Sequence, residues 1–440
     1  MRLGSTTLRR GAALVAAALV ATLGTLAILE VAARRFAAPF RLPPAPESRT
    51  IDPYGENPFI VSFRPLLRTF VPGSRYRAAR SSYTVDYTIN SSGFRGPEVA
   101  PKHARRLLVV GDSIAEGHGV PFEDAFPALL DEQLRGEGWE VVSAAMQGAS
   151  PIYYAANLPR YLALEPDAVL LVLFENDLWD DRKCEQAYFG MPLLDVESRF
   201  ALAAALRRLW RSAHPTPFEE DVRSNLARSP GGLPPAPDAR FPWVFAPDDV
   251  RREWAKSAVY LDRFANALDE RGIPLFVSVV AIGTLTPAGR PVHSDHAHAL
   301  EAEARRWAEQ RGLPFLSLMP LVEWGYARFP AYEDVMIADD GHPTSEMHRR
   351  FARALARWAR PWLTPAAAPR ARSGPSSRPR PFRRRSRARR PTRARGAEAP
   401  PRTRPPCRSA RAACGASPRP AGRSRRRARP RAAPLRRACS

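Results

Sequence analysis

At 440 residues, 45% of them hydrophobic, the chain has length for a large core and for more than one domain, and its net charge of +23 misleads as an average. From Ala366 to Ser440 stand 25 arginines, no lysine and one acid, Glu398, a net +24, so residues 1–365 are near neutral at −1 and lack the basic surplus of a nucleic-acid-binding domain. Three of the four cysteines, Cys407, Cys414 and Cys439, lie in that same segment, which leaves Cys184 alone and excludes a disulfide-stapled scaffold.

Residues 1–10 read as a short cytoplasmic N-terminus. Gly11 to Leu29 is a run of 19 residues without charge, preceded by Arg2, Arg9 and Arg10 and followed by Glu30, Arg34 and Arg35. As a helix it reaches about 28 Å, close to the ~30 Å of a bilayer's hydrocarbon core. Residues 11–33 are therefore expected to be a single-pass anchor, with a cleaved signal as the alternative. The membrane is thus a partner, and the rest of the chain lies outside the cytoplasm, tethered or, after cleavage, secreted or periplasmic. Residues 34–104 form a stalk and lead-in. Pro39 to Pro46 is rich in proline, Ser81 to Ile89 alternates like a strand, and Asn90-Ser91-Ser92-Gly93 supplies turn chemistry.

From Arg105 to residue 365 strand and helix patterns alternate. Apolar runs at Leu107–Val110, Val141–Ala145, Ala168–Phe174, Leu275–Val280 and Phe315–Leu318 suit strands covered on both faces. Helical stretches fall near Ala125–Arg135, Ile152–Leu164, Asp249–Arg271 and Ser294–Arg311, with a last helix from about Thr344 to before Pro361. The expected fold is α/β, a doubly wound, flavodoxin-like parallel sheet of five strands. An insertion at about 178–247 has a loop at Ser229–Pro235 and a helix at Glu197–Ser212, and is either a lid or a decoration. Residues 366–440 hold only Phe382 and Leu435 as large apolar residues, so they cannot offset the entropy of ordering and are expected to be disordered. A misread end of a GC-rich gene is another source of such composition. Deleting 366–440 is expected to leave the melting temperature of the remainder nearly unchanged; a drop of several degrees in a thermal melt would place the tail within the fold.

Chemistry concentrates at two runs. Gly111-Asp112-Ser113 ends the first apolar run, and Asp339-Asp340-Gly341-His342 precedes the last helix. A serine at a strand end with a distant Asp-x-x-His pair provides nucleophile, base and orienting carboxylate. Asp339 has the three-residue spacing to His342, and the adjacent Asp340 is the fallback. These runs, with Gly148 in VVSAAMQGAS and Phe174-Glu175-Asn176-Asp177, resemble in order the blocks of the SGNH, or GDSL, hydrolase family, in its membrane-anchored bacterial form. The resemblance covers roughly Arg105 to Arg360. It implies the SGNH-hydrolase fold, Ser113, Asp339 and His342 as catalytic residues, and an oxyanion hole from the backbone N–H groups of Ser113 and Gly148 and the side-chain amide of Asn176. It departs from the family at Phe174, where glycine is usual, and at Ser143, where asparagine is common; both bear on the shape of the acyl pocket. No metal or cofactor is expected.

Other signals are weaker. Gly111-x-Ser113-x-Ala115 approaches a nucleophile elbow, but that fold places strands before its serine and its acid far from its histidine. His293-Ser294-Asp295-His296-Ala297-His298 sits at a helix start and is a poor metal site. His118 has no acid at useful spacing to act as a base. Trp179, Trp243 and Trp324 suit sugar stacking if they face the cleft, and core packing otherwise.

The expected function is an extracytoplasmic serine esterase that removes short, acetyl-like acyl groups, with carbohydrate implied as substrate by the resemblance and the location. The alternatives are an acyltransferase to an envelope polysaccharide with the same triad, and a catalytically silent tethered binding module. Nucleic acid is not expected as a partner.

Overall fold

The computed structural model describes residues 5–36, 42–53, 55, 57–62, 68–188, 200–228, 243–285, 291–329, 331–338 and 340–363. The tail at 366–440, the loop at Ser229–Pro235 and Asp339 lie outside the described residues. The five expected strands form one parallel sheet: β1 (Arg105–Gly111), β2 (Trp139–Ser143), β3 (Ala168–Phe174), β4 (Leu275–Val280) and β5 (Phe315–Ser317), in spatial order β2-β1-β3-β4-β5. Because the chain starts in the middle and winds out in both directions, β1 ends between the ends of β2 and β3. That reversal opens a crevice at the carboxyl edge.

Alternation along the strands divides the core in two. Leu108 and Val110, with Val169, Leu171 and Leu173, pack against the helices Pro247–Asp269 and Asp295–Gln310 through residues such as Phe264 and Leu300. Leu107, Val109, Leu170 and Val172 face the helices Phe126–Leu134 and Ser345–Leu363 through Leu130, Phe351 and Leu355. Every residue of β3 is buried, as its uninterrupted apolar run predicts. Ser294 caps its helix by accepting from Ala297 N at 3.2 Å.

Several elements differ from the sequence expectation. The helix expected over Ile152–Leu164 is two short ones, Pro151–Ala156 and Leu158–Leu162, broken at Asn157 two residues before Pro159. The last helix continues through Pro361 to Leu363, whose carbonyl accepts from Trp139 Nε1 at 3.2 Å, so docking on β2 outweighs the proline. The insertion carries Asp177–Tyr188, Ala201–Ala213 and Pro217–Ala227, the last begun by a capping box between Thr216 and Glu219. A helix at Met319–Arg328 was not anticipated.

The lead-in is more structured than one strand. Arg75–Ala79 pairs antiparallel with Thr84–Thr88 and parallel with Thr50–Ile51. Tyr76, Ala78, Val85 and Tyr87 join the central core while Arg77 and Asp86 pair on the outer face at 2.6 Å. At the N-terminus one helix, Ser5–Phe36, contains a stretch, Gly11–Arg35, long and apolar enough to cross a membrane.

Candidate active site

Ser113 stands two residues beyond the end of β1, at the first position of a one-turn helix, Ser113–Glu116. Asp112 caps that turn, its carboxylate accepting from Ile114 N at 3.0 Å. Gly111 is required for close packing, since a Cβ there would lie 2.7 Å from Ala115 Cβ and 2.9 Å from the Val172 carbonyl oxygen. Ser113 Oγ lies 2.9 Å from His342 Nε2 and 3.2 Å from Asp112 Oδ2.

His342 arrives from the other end of the domain. Ile337 N donates to the His342 carbonyl at 2.7 Å, and Gly341 N to the Ile337 carbonyl at 2.9 Å, closing a tight turn in which Gly341 takes φ +82°. That left-handed residue suits glycine, and it folds the carboxylate of Asp340 back onto His342 Nδ1. Nδ1 therefore carries the proton donated to Asp340, and Nε2 is left to accept from Ser113. Asp339, to which the Asp-x-x-His spacing points, is outside the described residues; the carboxylate seen on His342 is that of Asp340, two residues away instead of three.

The Asp340 side chain is fully buried, and its Oδ2 lies 3.7 Å from His118 Nε2. Tyr83, from the lead-in, meets His118 Nε2 at 3.2 Å, and Tyr87 approaches its Nδ1 at 3.4 Å. Burial, then the charge on His342, pushes the His118 pKa well below the usual histidine range, so the ring is neutral. His118 thus has an acid close by after all, one separated by 222 positions in sequence and invisible to a search for local spacing.

The three residues expected to bind an oxyanion sit at the ends of adjacent strands. Beside Ser113 on β1, Gly148 follows β2 in the left-handed region, φ +65°, and Asn176 follows β3. A Cβ on Gly148 would fall 2.1 Å from Arg68 Nη2, whose guanidinium also donates to the Gln147 carbonyl. Among the described residues Asn176 Oδ1 is buried with no hydrogen-bond partner, so that oxygen does not cap the helix that follows. The helix start is instead tied by Asp177 Oδ2, which accepts from Phe174 N at 3.3 Å. Phe174, the departure from the family glycine, is buried within the core on the face of Val172 and Phe276.

Carboxyl groups are buried beneath the site. Desolvation raises Asp112, Glu116 and Glu175 to about 7 and Asp181 to about 6, and moves Asp177 well above the carboxylate range. Glu116 also joins the nucleophile helix to the next loop, Oε2 accepting from Gln147 N at 2.7 Å, and it faces Arg95, His342 and Asp112. Its folded value exceeds the ordinary 4.5, so the folded state holds a proton that the unfolded chain has released. The resulting stability is present below about pH 4.5 and is lost as pH rises through about 7. Thermal melts from about pH 5 to about pH 8 are expected to fall less steeply in Glu116→Gln than in the parent; equal slopes would assign the loss to other groups.

Arg95 is buried at 1% exposure and locks the loop after the nucleophile, donating to the Gly117 carbonyl and, at 2.7 Å, to that of Val120, while stacking 3.8 Å from the Tyr87 ring centroid. Sequence reasoning missed Arg95, Arg68 and Tyr83, all from the lead-in; no local pattern marks a residue that reaches a site from a separate segment. Of the histidines in the 293–298 run, His296 is structural, while His293 and His298 gather beside Glu323. His296 accepts from Phe245 N at 3.1 Å and donates to the Glu175 carbonyl at 2.6 Å, using both ring nitrogens. Trp179 packs on Phe245, and Trp324 lies under the Arg350 guanidinium at 4.0 Å.

A doubly wound parallel sheet with a serine and a histidine meeting at its carboxyl edge defines the class of α/β serine hydrolases. Within it the chain belongs to the GDSL-like lipase/acylhydrolase family, whose model matches residues 109–350, and the family's chemistry is ester hydrolysis. It is 35% identical over 81 residues to an arylesterase of Vibrio mimicus, 18% of this chain and 40% of that protein. It is 40% identical over 77 residues to esterase TesA of Pseudomonas aeruginosa, 17% of this chain and 38% of the relative. The matched segment thus spans about two fifths of these curated relatives. Among solved structures, TesA aligns with 59% of this chain and 100% of its own at 20% identity, TM-score 0.35. An acetylxylan esterase from Geobacillus stearothermophilus aligns with 57% and 93% at 14% identity, TM-score 0.34.

Proposed function

We propose that the protein is a membrane-tethered esterase that works outside the cytoplasm and removes short acyl groups from carbohydrate esters, with Ser113 as nucleophile, His342 as base and Asp340 as the orienting acid. The observation that carries this reading is the run of contacts from Ser113 Oγ to His342 Nε2 at 2.9 Å and from His342 Nδ1 to Asp340. As Ser113 attacks the ester carbonyl, its proton passes to Nε2, and the imidazolium so formed is stabilised by the buried carboxylate. The same proton then goes to the departing alcohol. Water, deprotonated by His342, cleaves the acyl-enzyme and restores the serine. Negative oxygen in both tetrahedral intermediates is received by the N–H groups of Ser113 and Gly148 and the Asn176 amide, each such donor lowering a barrier by about 3 kcal/mol. The short acyl group and the carbohydrate come from the family resemblance and from the location implied by the Gly11–Leu29 run.

The test is a substrate panel: aryl esters of increasing acyl length, then acetylated polysaccharides, with and without an unacetylated polysaccharide acceptor. Ester turnover that falls with acyl length, with acetate released from acetylated polysaccharide whether or not acceptor is present, supports the esterase. Acyl groups recovered on the acceptor would make the protein a transferase, and no turnover of any ester would leave a binding module. A reporter active only outside the cytoplasm, fused at Ala366, checks the topology; membrane-bound activity is expected, and a shortened soluble product would indicate signal cleavage.

A further inference from the structure

The helix Ala201–Ala213 in the insertion meets the outer end of the N-terminal helix. Both oxygens of Glu30 accept from its first backbone N–H groups, Ala201 N at 3.0 Å and Leu202 N at 2.9 Å, an acid placed where a helix N-terminus favours one. Glu30 is also the first charge after the run Gly11–Leu29. If that run crosses the bilayer, the contact fixes the start of the Ala201–Ala213 helix at the membrane surface.

The sequence of this helix is divided to match. At about 100° per residue, Leu202, Leu206, Leu209, Trp210 and Ala213 fall within one arc of about 100°, and positions 207, 208 and 211, all arginine, lie on the other side. Ala201 and Ala204 are buried, whereas Leu206 is 58%, Leu209 69% and Trp210 66% exposed. An exposed leucine and tryptophan stripe backed by arginines is the pattern of a helix that lies in a lipid interface. The tryptophan ring suits the headgroup boundary, and an arginine at position 207 suits the level of lipid phosphate.

We propose that Ala201–Ala213 is an interfacial helix, set in the headgroup and upper acyl region of the bilayer with Leu206, Leu209 and Trp210 in lipid, and that it holds the hydrolase domain against the membrane face. This rests on the reading of Gly11–Leu29 as a retained span. Lipid is favoured over a protein partner because the Glu30 contact ties the helix to the end of the span, where the bilayer is present at high effective concentration.

The experiment uses the full chain reconstituted into phosphatidylethanolamine and phosphatidylglycerol vesicles, with or without bromine in the upper acyl chain. The difference in emission between the parent and Trp210→Phe isolates Trp210. That emission is expected to lose most of its intensity in brominated vesicles and to resist aqueous acrylamide. The double change Leu206→Glu with Leu209→Glu is expected to abolish lipid quenching while the chain still resists extraction by alkaline carbonate. Trp210 quenched by acrylamide and not by brominated lipid, in a chain that resists carbonate, would overturn the interfacial helix and leave the span intact; so would lipid quenching unchanged by the double substitution. A chain recovered from membranes without residues 11–33, read by N-terminal mass analysis, would overturn the span and this inference with it.

Discussion

Ser113→Ala and His342→Ala each remove ester hydrolysis by roughly 10³-fold or more, and the double variant is little worse than either alone. The non-additivity follows from geometry. Ser113 Oγ is 2.9 Å from His342 Nε2, so removing the base leaves a hydroxyl that is a poor nucleophile at neutral pH, and removing the hydroxyl leaves a base with no proton to take. Asn176→Ala is expected to cost about 10²- to 10³-fold in kcat with a smaller change in KM, because an oxyanion donor meets charge that exists only beyond the ground state. Steady-state kinetics on an aryl ester, with circular dichroism to confirm folding, checks all four variants. Full activity in well-folded Ser113→Ala would mean that another nucleophile operates.

The sheet was legible because each of its strands is a short apolar run flanked by turn residues, and periodicity alone distinguishes buried strands from the amphipathic helices between them. Boundaries set by tertiary contacts were not. Pro361 reads as a helix stop, yet the carbonyl of Leu363 is held by Trp139, a residue 224 positions away. Arg75–Ala79 escaped notice because Arg75 and Arg77 leave only Tyr76 and Ala78 as core residues in a five-residue strand, too few to register as an apolar run. The site divides the same way. Ser113, Gly148 and Asn176 follow strand ends in order and could be located by pattern, whereas His118, Tyr83, Arg95 and Arg68 come together only when the lead-in packs beside β1 and β2.

The acid is where the pattern and the geometry part, and substituting it gives the second large effect. The Asp-x-x-His spacing points to Asp339; the turn around Gly341 brings Asp340 to His342 Nδ1. Asp340→Asn is expected to lower kcat by about 10³- to 10⁴-fold with little change in KM, because an amide facing Nδ1 no longer enforces the tautomer that leaves Nε2 free and no longer balances the imidazolium. Asp339→Asn is expected to stay within several-fold of the parent. The buried setting sharpens the contrast: Asp340 is at 0% side-chain exposure, where a lost charge interaction is screened little by water. Tyr83→Phe supplies a graded control. It removes the hydroxyl that meets His118 Nε2 and also donates to the Asp340 carboxylate, but it leaves the Asp340–His342 contact in place, and a loss well below that of Asp340→Asn is expected. If Asp339→Asn is the severe variant and Asp340→Asn the mild one, the orienting carboxylate is the one at family spacing, and the turn must place Asp339 on His342 in the working enzyme.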